Sequence, residues 1–159
     1  TLELVLIQKF TLYIGASVYA IITILLTILL FSGLGSRFSE RFSEKIIFPA
    51  IIVLIILEIF AIFPITYHLS GFELIPRIII SIIAIAPLSF FMGMPFPKAG
   101  KIVGELIDWG FAVNGTASVL GSTLSILIAI NYGFNLAMLV AGLTYLFAFV
   151  LINKKISWN

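Results

Sequence analysis

The chain has 159 residues, 62% of them hydrophobic and only 10% charged, where a soluble domain carries roughly 25% charged residues. With the apolar runs spread over the whole length, the bilayer is the expected solvent and no separate soluble domain fits. The formal charge of +2 does not point to nucleic acid, because the basic residues sit in short runs between apolar stretches rather than along a stripe. The absence of cysteine excludes disulfides, thiolate metal sites and cysteine nucleophiles, and His68 as the single histidine makes no metal site. No cofactor site is expected either.

Taken in chain order, the opening stretch carries Glu3 and Lys9 and begins at Thr1, which is not the pattern of a signal peptide. The expectation is a chain that begins inside a longer protein, with residues 1–8 as the tail of a further, truncated span. Crossing a hydrocarbon core of about 30 Å takes roughly 20 apolar residues in a helix. Stretches of that kind fall at about 10–31, 46–67, 78–95, 109–131 and 134–152. The last two are joined by Asn131-Tyr132-Gly133-Phe134-Asn135, turn-forming residues that predict a tight helical hairpin. The predicted fold is an all-α integral membrane protein, a single bundle of about five transmembrane helices.

The connecting segments test that count through their Lys and Arg content. Arg37, Arg41, Lys45, Lys98, Lys101, Lys154 and Lys155 fall at one end, and only Lys9 and Arg77 at the other. The positive-inside rule makes the richer end cytoplasmic, with the C-terminus on that side, and the expected location is a prokaryotic cytoplasmic membrane. Trp109 and Trp158 fall at one interface, Tyr67 and Tyr132 at the other, as aromatic anchors do.

Four features invite a chemical reading. Glu58 lies near the middle of the second span, where an ionised carboxylate is costly and an acidic side chain is by default a candidate for function. It reads either as part of a proton or cation path or as a protonated group bonded to a neighbouring helix, the two about equally. The polar groups available to such a path are Tyr19, Thr23 and Thr27 in the first span and Asn114, Ser118 and Ser125 in the fourth. Gly110, Asn114, Ser118, Gly121 and Ser125 recur at steps of three or four, which puts small and polar groups on one helical stripe. Close helix packing at Gly110, Gly121 and Ser125 is the commoner use of such a stripe, and a ligand groove the rarer. Pro87 and then Gly93-Met94-Pro95-Phe96-Pro97 predict a kink and an exit from the third span. The duplication Arg37-Phe38-Ser39-Glu40, Arg41-Phe42-Ser43-Glu44 would stack Phe38 over Phe42 if helical, and reads as a solvated topology-fixing loop more than as a docking site.

Enzyme motifs are missing. Gly33-Leu34-Gly35 lacks the third glycine of a dinucleotide turn and follows a membrane helix rather than a strand. No Ser-His-Asp grouping is legible, so no catalytic residue is assigned.

Three stretches carry a family likeness: 3–10 (Glu-Leu-Val-Leu-Ile-Gln-Lys-Phe) leading to 31–36 (Phe-Ser-Gly-Leu-Gly-Ser); 92–97 (Met-Gly-Met-Pro-Phe-Pro); and Trp109-Gly110 through Asn114-Gly115 to 118–122 (Ser-Val-Leu-Gly-Ser). Together they resemble the C-terminal membrane region of multi-pass spermidine-synthase-like proteins, over nearly the whole chain. The resemblance implies a helical bundle placed after an aminopropyltransferase-like fold that binds a nucleotide methyl donor, with two further helices and a soluble domain before Thr1. Where the family tends to show Gly-His-Pro this chain has Gly15-Ala16-Ser17, so no role of that histidine carries over. The glycine-rich and acidic residues of the aminopropyltransferase site have no counterpart.

Three functions follow as expectations. The first is a non-catalytic membrane domain, an anchor or an accessory subunit, with the bilayer and other membrane subunits or a soluble synthase-like domain as partners. The second is a transporter-like bundle moving protons, cations or polyamines through Glu58. The third is the membrane part of an aminopropyltransferase whose activity a further domain supplies.

Overall fold

The structure is a computed structural model that describes residues 2–15 and 18–156, with 102, 103, 105 and 153–156 described as backbone only. The expectations placed on Thr1, Trp158 and the side chains of Lys154 and Lys155 therefore lie outside the described residues. All the regular structure described is helical. The helices are α1 (Leu2–Ile14), α2 (Val18–Phe38), α3 (Glu44–Leu57), α4 (Phe63–His68), α5 (Leu74–Met92), α6 (Pro95–Val103), α7 (Ile107–Tyr132) and α8 (Phe134–Ile156). A π-helical turn, Glu58–Ile62, joins α3 to α4.

Five segments are long and apolar enough to cross a bilayer: Val18–Arg41, Glu44–Gly71, Leu74–Lys101, Ile107–Tyr132 and Phe134–Ile152. They leave large apolar side chains exposed along their length, among them Leu29, Val53, Ile83, Leu120 and Phe147. On a soluble protein so much exposed apolar surface would drive association, whereas lipid tails cover it at no cost. The chain forms an all-α bundle suited to a multi-pass membrane protein.

The apolar run at 10–31 is divided between two helices. Gly15 takes φ +114°, a conformation that side chains resist, and its N–H closes α1 on the carbonyl of Thr11 at 3.0 Å. At 1.5 Å per residue α1 is about 20 Å long, too short to cross alone. Its buried residues Leu2, Val5, Leu6, Phe10, Tyr13 and Ile14 recur at helical spacing, and they face α2, α5, α7 and α8, so α1 fills the centre of the bundle.

The tightest pairing is α2 against α5. A Cβ on Gly35 would overlap the Phe90 backbone carbonyl, and one on Gly93 would overlap that of Ser32. Absent side chains at these two positions let the backbones touch, as small residues do in membrane helix pairs. Around this pair, α3 packs on α5 and α8, and α8 on α7. Pro87 is carried inside α5, and the helix ends at Gly93 before α6 starts at Pro95. The hairpin between α7 and α8 needs a single linking residue, Gly133 at φ +90°.

The duplicated tetrapeptide is not one helical face. α2 stops at Phe38, Ser39–Arg41 forms a 3-10 turn, and Phe42 is extended. Both rings nevertheless reach Phe90, with centroids 6.4 Å away for Phe38 and 6.2 Å for Phe42. The Arg41 guanidinium lies 5.0 Å from the Phe38 ring, and Lys101 of α6 donates to Glu40 across the same end of the bundle.

Candidate functional site

Two clefts hold Glu58, Asn114 and Ser118, while Gly110, Gly121 and Ser125 line neither. The larger, of about 710 Å³, opens at the end of the bundle that carries Arg37 and Lys98. Leu2 and Glu3 of α1 line it beside Ser32, Gly33 and Ser36 of α2. The opposite wall comes from Asn114 and Ser118 of α7 and Tyr145 of α8, and residues 92–97 contribute between them. Each of the three stretches that carry the family likeness thus contributes to one cleft. They are far apart in sequence and are brought together by the α2–α5 pairing and by the return of α7.

The α7 stripe serves two different surroundings. Ser125 is buried, Gly121 and Gly110 are half-buried, and Asn114 and Ser118 are exposed on the cleft wall. Every residue at 111–120 is exposed, and a Cβ on Gly110 or Gly115 would meet nothing within 4 Å. The first half of α7 is therefore only loosely covered by the described residues, its contacts including the Phe111 ring against Phe96 at 5.1 Å between centroids. The α7 hydroxyls at Thr116, Ser122 and Thr123 donate to their own helix, to the carbonyls of Ala112 and Val119.

The second cleft, of about 360 Å³, lies between the α3–α4 segment and α5, and Glu58 lines it. Glu58 is 1% exposed, and neither carboxyl oxygen has a hydrogen-bond partner among the described residues. It opens the π-helical turn, where Phe63 N–H reaches back to the Glu58 carbonyl. Pro64 explains the widening: it has no N–H for the carbonyl of Phe60, and a helix relieves that clash by adding a residue to the turn. Single π turns of this kind recur at functional positions. Apart from Glu58 and Thr66 the lining is apolar, and Thr66 donates to Phe63 at 2.9 Å.

Glu58 and the pair Asn114 and Ser118 thus line different clefts, and the structure does not bring the three together. Of the first-span hydroxyls, Thr27 is buried and donates to the Thr23 carbonyl at 2.8 Å, while Tyr19 is exposed.

Lys9 and Arg77, topology markers by their place in the sequence, also make specific contacts. Lys9 sits 4.5 Å from the Phe63 ring centroid and 5.6 Å from that of Phe134, an arrangement that holds a cation against aromatic faces. Arg77 donates from Nη1 to the Tyr13 carbonyl at 3.2 Å, satisfying one of the orphan acceptors in the last turn of α1. The available signal was a charged residue interrupting an apolar run. Among the described residues no group of three His, Cys, Asp or Glu side chains is placed to hold a metal ion.

Comparison of the chain with known protein families, characterised proteins and solved structures finds no match.

Proposed function

We propose that the chain is a non-catalytic membrane domain that anchors or joins a larger membrane assembly, in keeping with its resemblance to the membrane region of spermidine-synthase-like proteins. The observation that carries this reading is the first half of α7. It is exposed throughout 111–120, and Gly110 and Gly115 face open space. It also holds Asn114, Thr116 and Ser118, small or polar groups of the kind that membrane helices use against one another. A helix or domain of a partner seated there would meet the cleft that the three likeness-bearing stretches line. The third expectation, a membrane-bound aminopropyltransferase, needs a catalytic domain supplied outside this segment and uses the same surface.

The test is Gly115→Leu. Among the described residues a Cβ at Gly115 meets nothing within 4 Å and the position is exposed, so the bundle should keep its fold while a seated partner is displaced. Co-purification in mild detergent should show a defined polypeptide with the original chain and its loss with the variant. An assembly that survives the substitution, or a chain that purifies alone, refutes the proposal.

A transporter-like role through Glu58 is favoured by one observation, the buried carboxyl without a partner. Proton, cation or polyamine flux in liposomes that is abolished by Glu58→Ala would support it, and flux left unchanged would dismiss it.

A further inference from the structure

Glu58 sits about 20 Å of helix from Glu44 and some 15 Å from His68, near mid-depth of its span. Water and headgroups are remote from that depth, so whatever meets the carboxyl arrives through lipid. The cleft permits this: Leu57, Ile65 and Ile83 on its walls are exposed on the outer surface of the bundle. Its volume of about 360 Å³ falls in the range of small-molecule sites, roughly 300–1,000 Å³. A bare metal cation fits poorly, because hard cations take about six oxygen ligands and among the described residues the polar side chains lining the cleft are Glu58 and Thr66. What the lining does offer is one carboxyl, which in its protonated form donates through O–H and accepts through its carbonyl oxygen. The Thr66 hydroxyl, its hydrogen committed to Phe63, can still accept.

We propose that the cleft between the α3–α4 segment and α5 is a lateral binding site for a neutral, lipid-soluble molecule with an apolar body and one oxygen-bearing head, a hydroxyl or a carbonyl, which pairs with Glu58. The ligand enters from the bilayer between Ile65 and Ile83. This assignment is independent of the partner surface on α7.

Dicyclohexylcarbodiimide tests it in the chain reconstituted into phosphatidylcholine vesicles. The Glu58 O–H adds across one C=N bond of the reagent to give an O-acylisourea, and the acyl group then migrates to nitrogen as a stable N-acylurea, with no atom lost and no redox change. Peptide mass analysis should find Glu58 modified by this lipid-soluble reagent and not by a water-soluble carbodiimide. Farnesol, carrying a hydroxyl, or decylubiquinone, carrying carbonyls, should slow the modification about tenfold when present at about nine times its dissociation constant, as competition for one site requires. The arm that protects identifies the head group, while the corresponding saturated hydrocarbon should leave the rate unchanged. Native mass spectrometry gives a second readout: farnesol or decylubiquinone adducts should fall about tenfold in Glu58→Leu. Unmodified Glu58, equal modification by the water-soluble reagent, protection by hydrocarbon alone, or adducts indifferent to Glu58→Leu each overturn the proposal.

Discussion

Glu58 is the residue where local chemistry and surroundings disagree most. Both oxygens lack partners among the described residues although the side chain is buried, and an unpaired polar group in an apolar setting costs about 1–3 kcal/mol. Replacing it by leucine should therefore raise the stability of the bundle by that order, read as a higher unfolding midpoint in detergent, and Glu58→Gln should leave assembly nearly intact. A lower midpoint for the leucine variant would mean that the carboxyl has a structural partner. The position of this carboxylate was legible in the sequence, because one acidic letter interrupts an otherwise apolar run. Its separation from Asn114 and Ser118 was not, since helical periodicity orders residues within one helix and says nothing of which helices face each other. Lys9 and Arg77 were visible for the same reason as Glu58, but their partners, the Phe63 and Phe134 rings and the Tyr13 carbonyl, come from distant segments.

Helix pairing shows the same division between what one segment encodes and what two segments make together. The small residues of α7 stand out in the sequence by their regular spacing, yet its first half packs on little of this chain. Close backbone approach is instead made at Gly35 in α2 and Gly93 just past the end of α5, which form no repeat. Neither Gly33-Leu34-Gly35 nor Gly93-Met94-Pro95 announces a partner by itself. Gly35→Ala and Gly93→Ala should each destabilise the bundle by about 1–3 kcal/mol, the range for overpacking a well-filled contact. Thermal unfolding of the two variants in detergent measures this, with Gly33→Ala as the control because a Cβ there meets nothing within 4 Å. Equal midpoints for all three would show that α2 and α5 lie further apart. The break at Gly15 also escaped the apolar pattern, which runs on through it; a glycine in a long span signals a turn only once the chain on both sides has something to pack against.

At the scale of the molecule, hydropathy was sufficient to find a helical bundle with five long apolar segments, because lipid demands the same thing of each one: enough apolar length and internally satisfied backbone. The arrangement places the Ser39–Arg41 turn and α6 at one end, tied by Lys101 to Glu40, and the Leu69–Gly71 turn at the other. Single cysteines at Ser43 and Ser70, both exposed, should therefore react with a membrane-impermeant thiol reagent from opposite sides of a sealed vesicle. The chain has no cysteine of its own to confuse the result. Labelling of both from one side would overturn the order of the crossings.

The one-residue turn at Gly133 bears on how the last two helices enter the bilayer. Between Asp108 and Lys154 the sequence carries no charge, so an inserting hairpin need carry only Asn131, Asn135 and the glycine backbone through the hydrocarbon. Each charge in such a turn would add about 2.5–3.5 kcal/mol at the centre of the membrane on the insertion scale. The turn between α4 and α5, flanked by Glu73 and Arg77, enjoys no such relief. α7 and α8 are thus fitted to partition together as one unit, oriented by the lysines that precede and follow them and not by anything in the link itself.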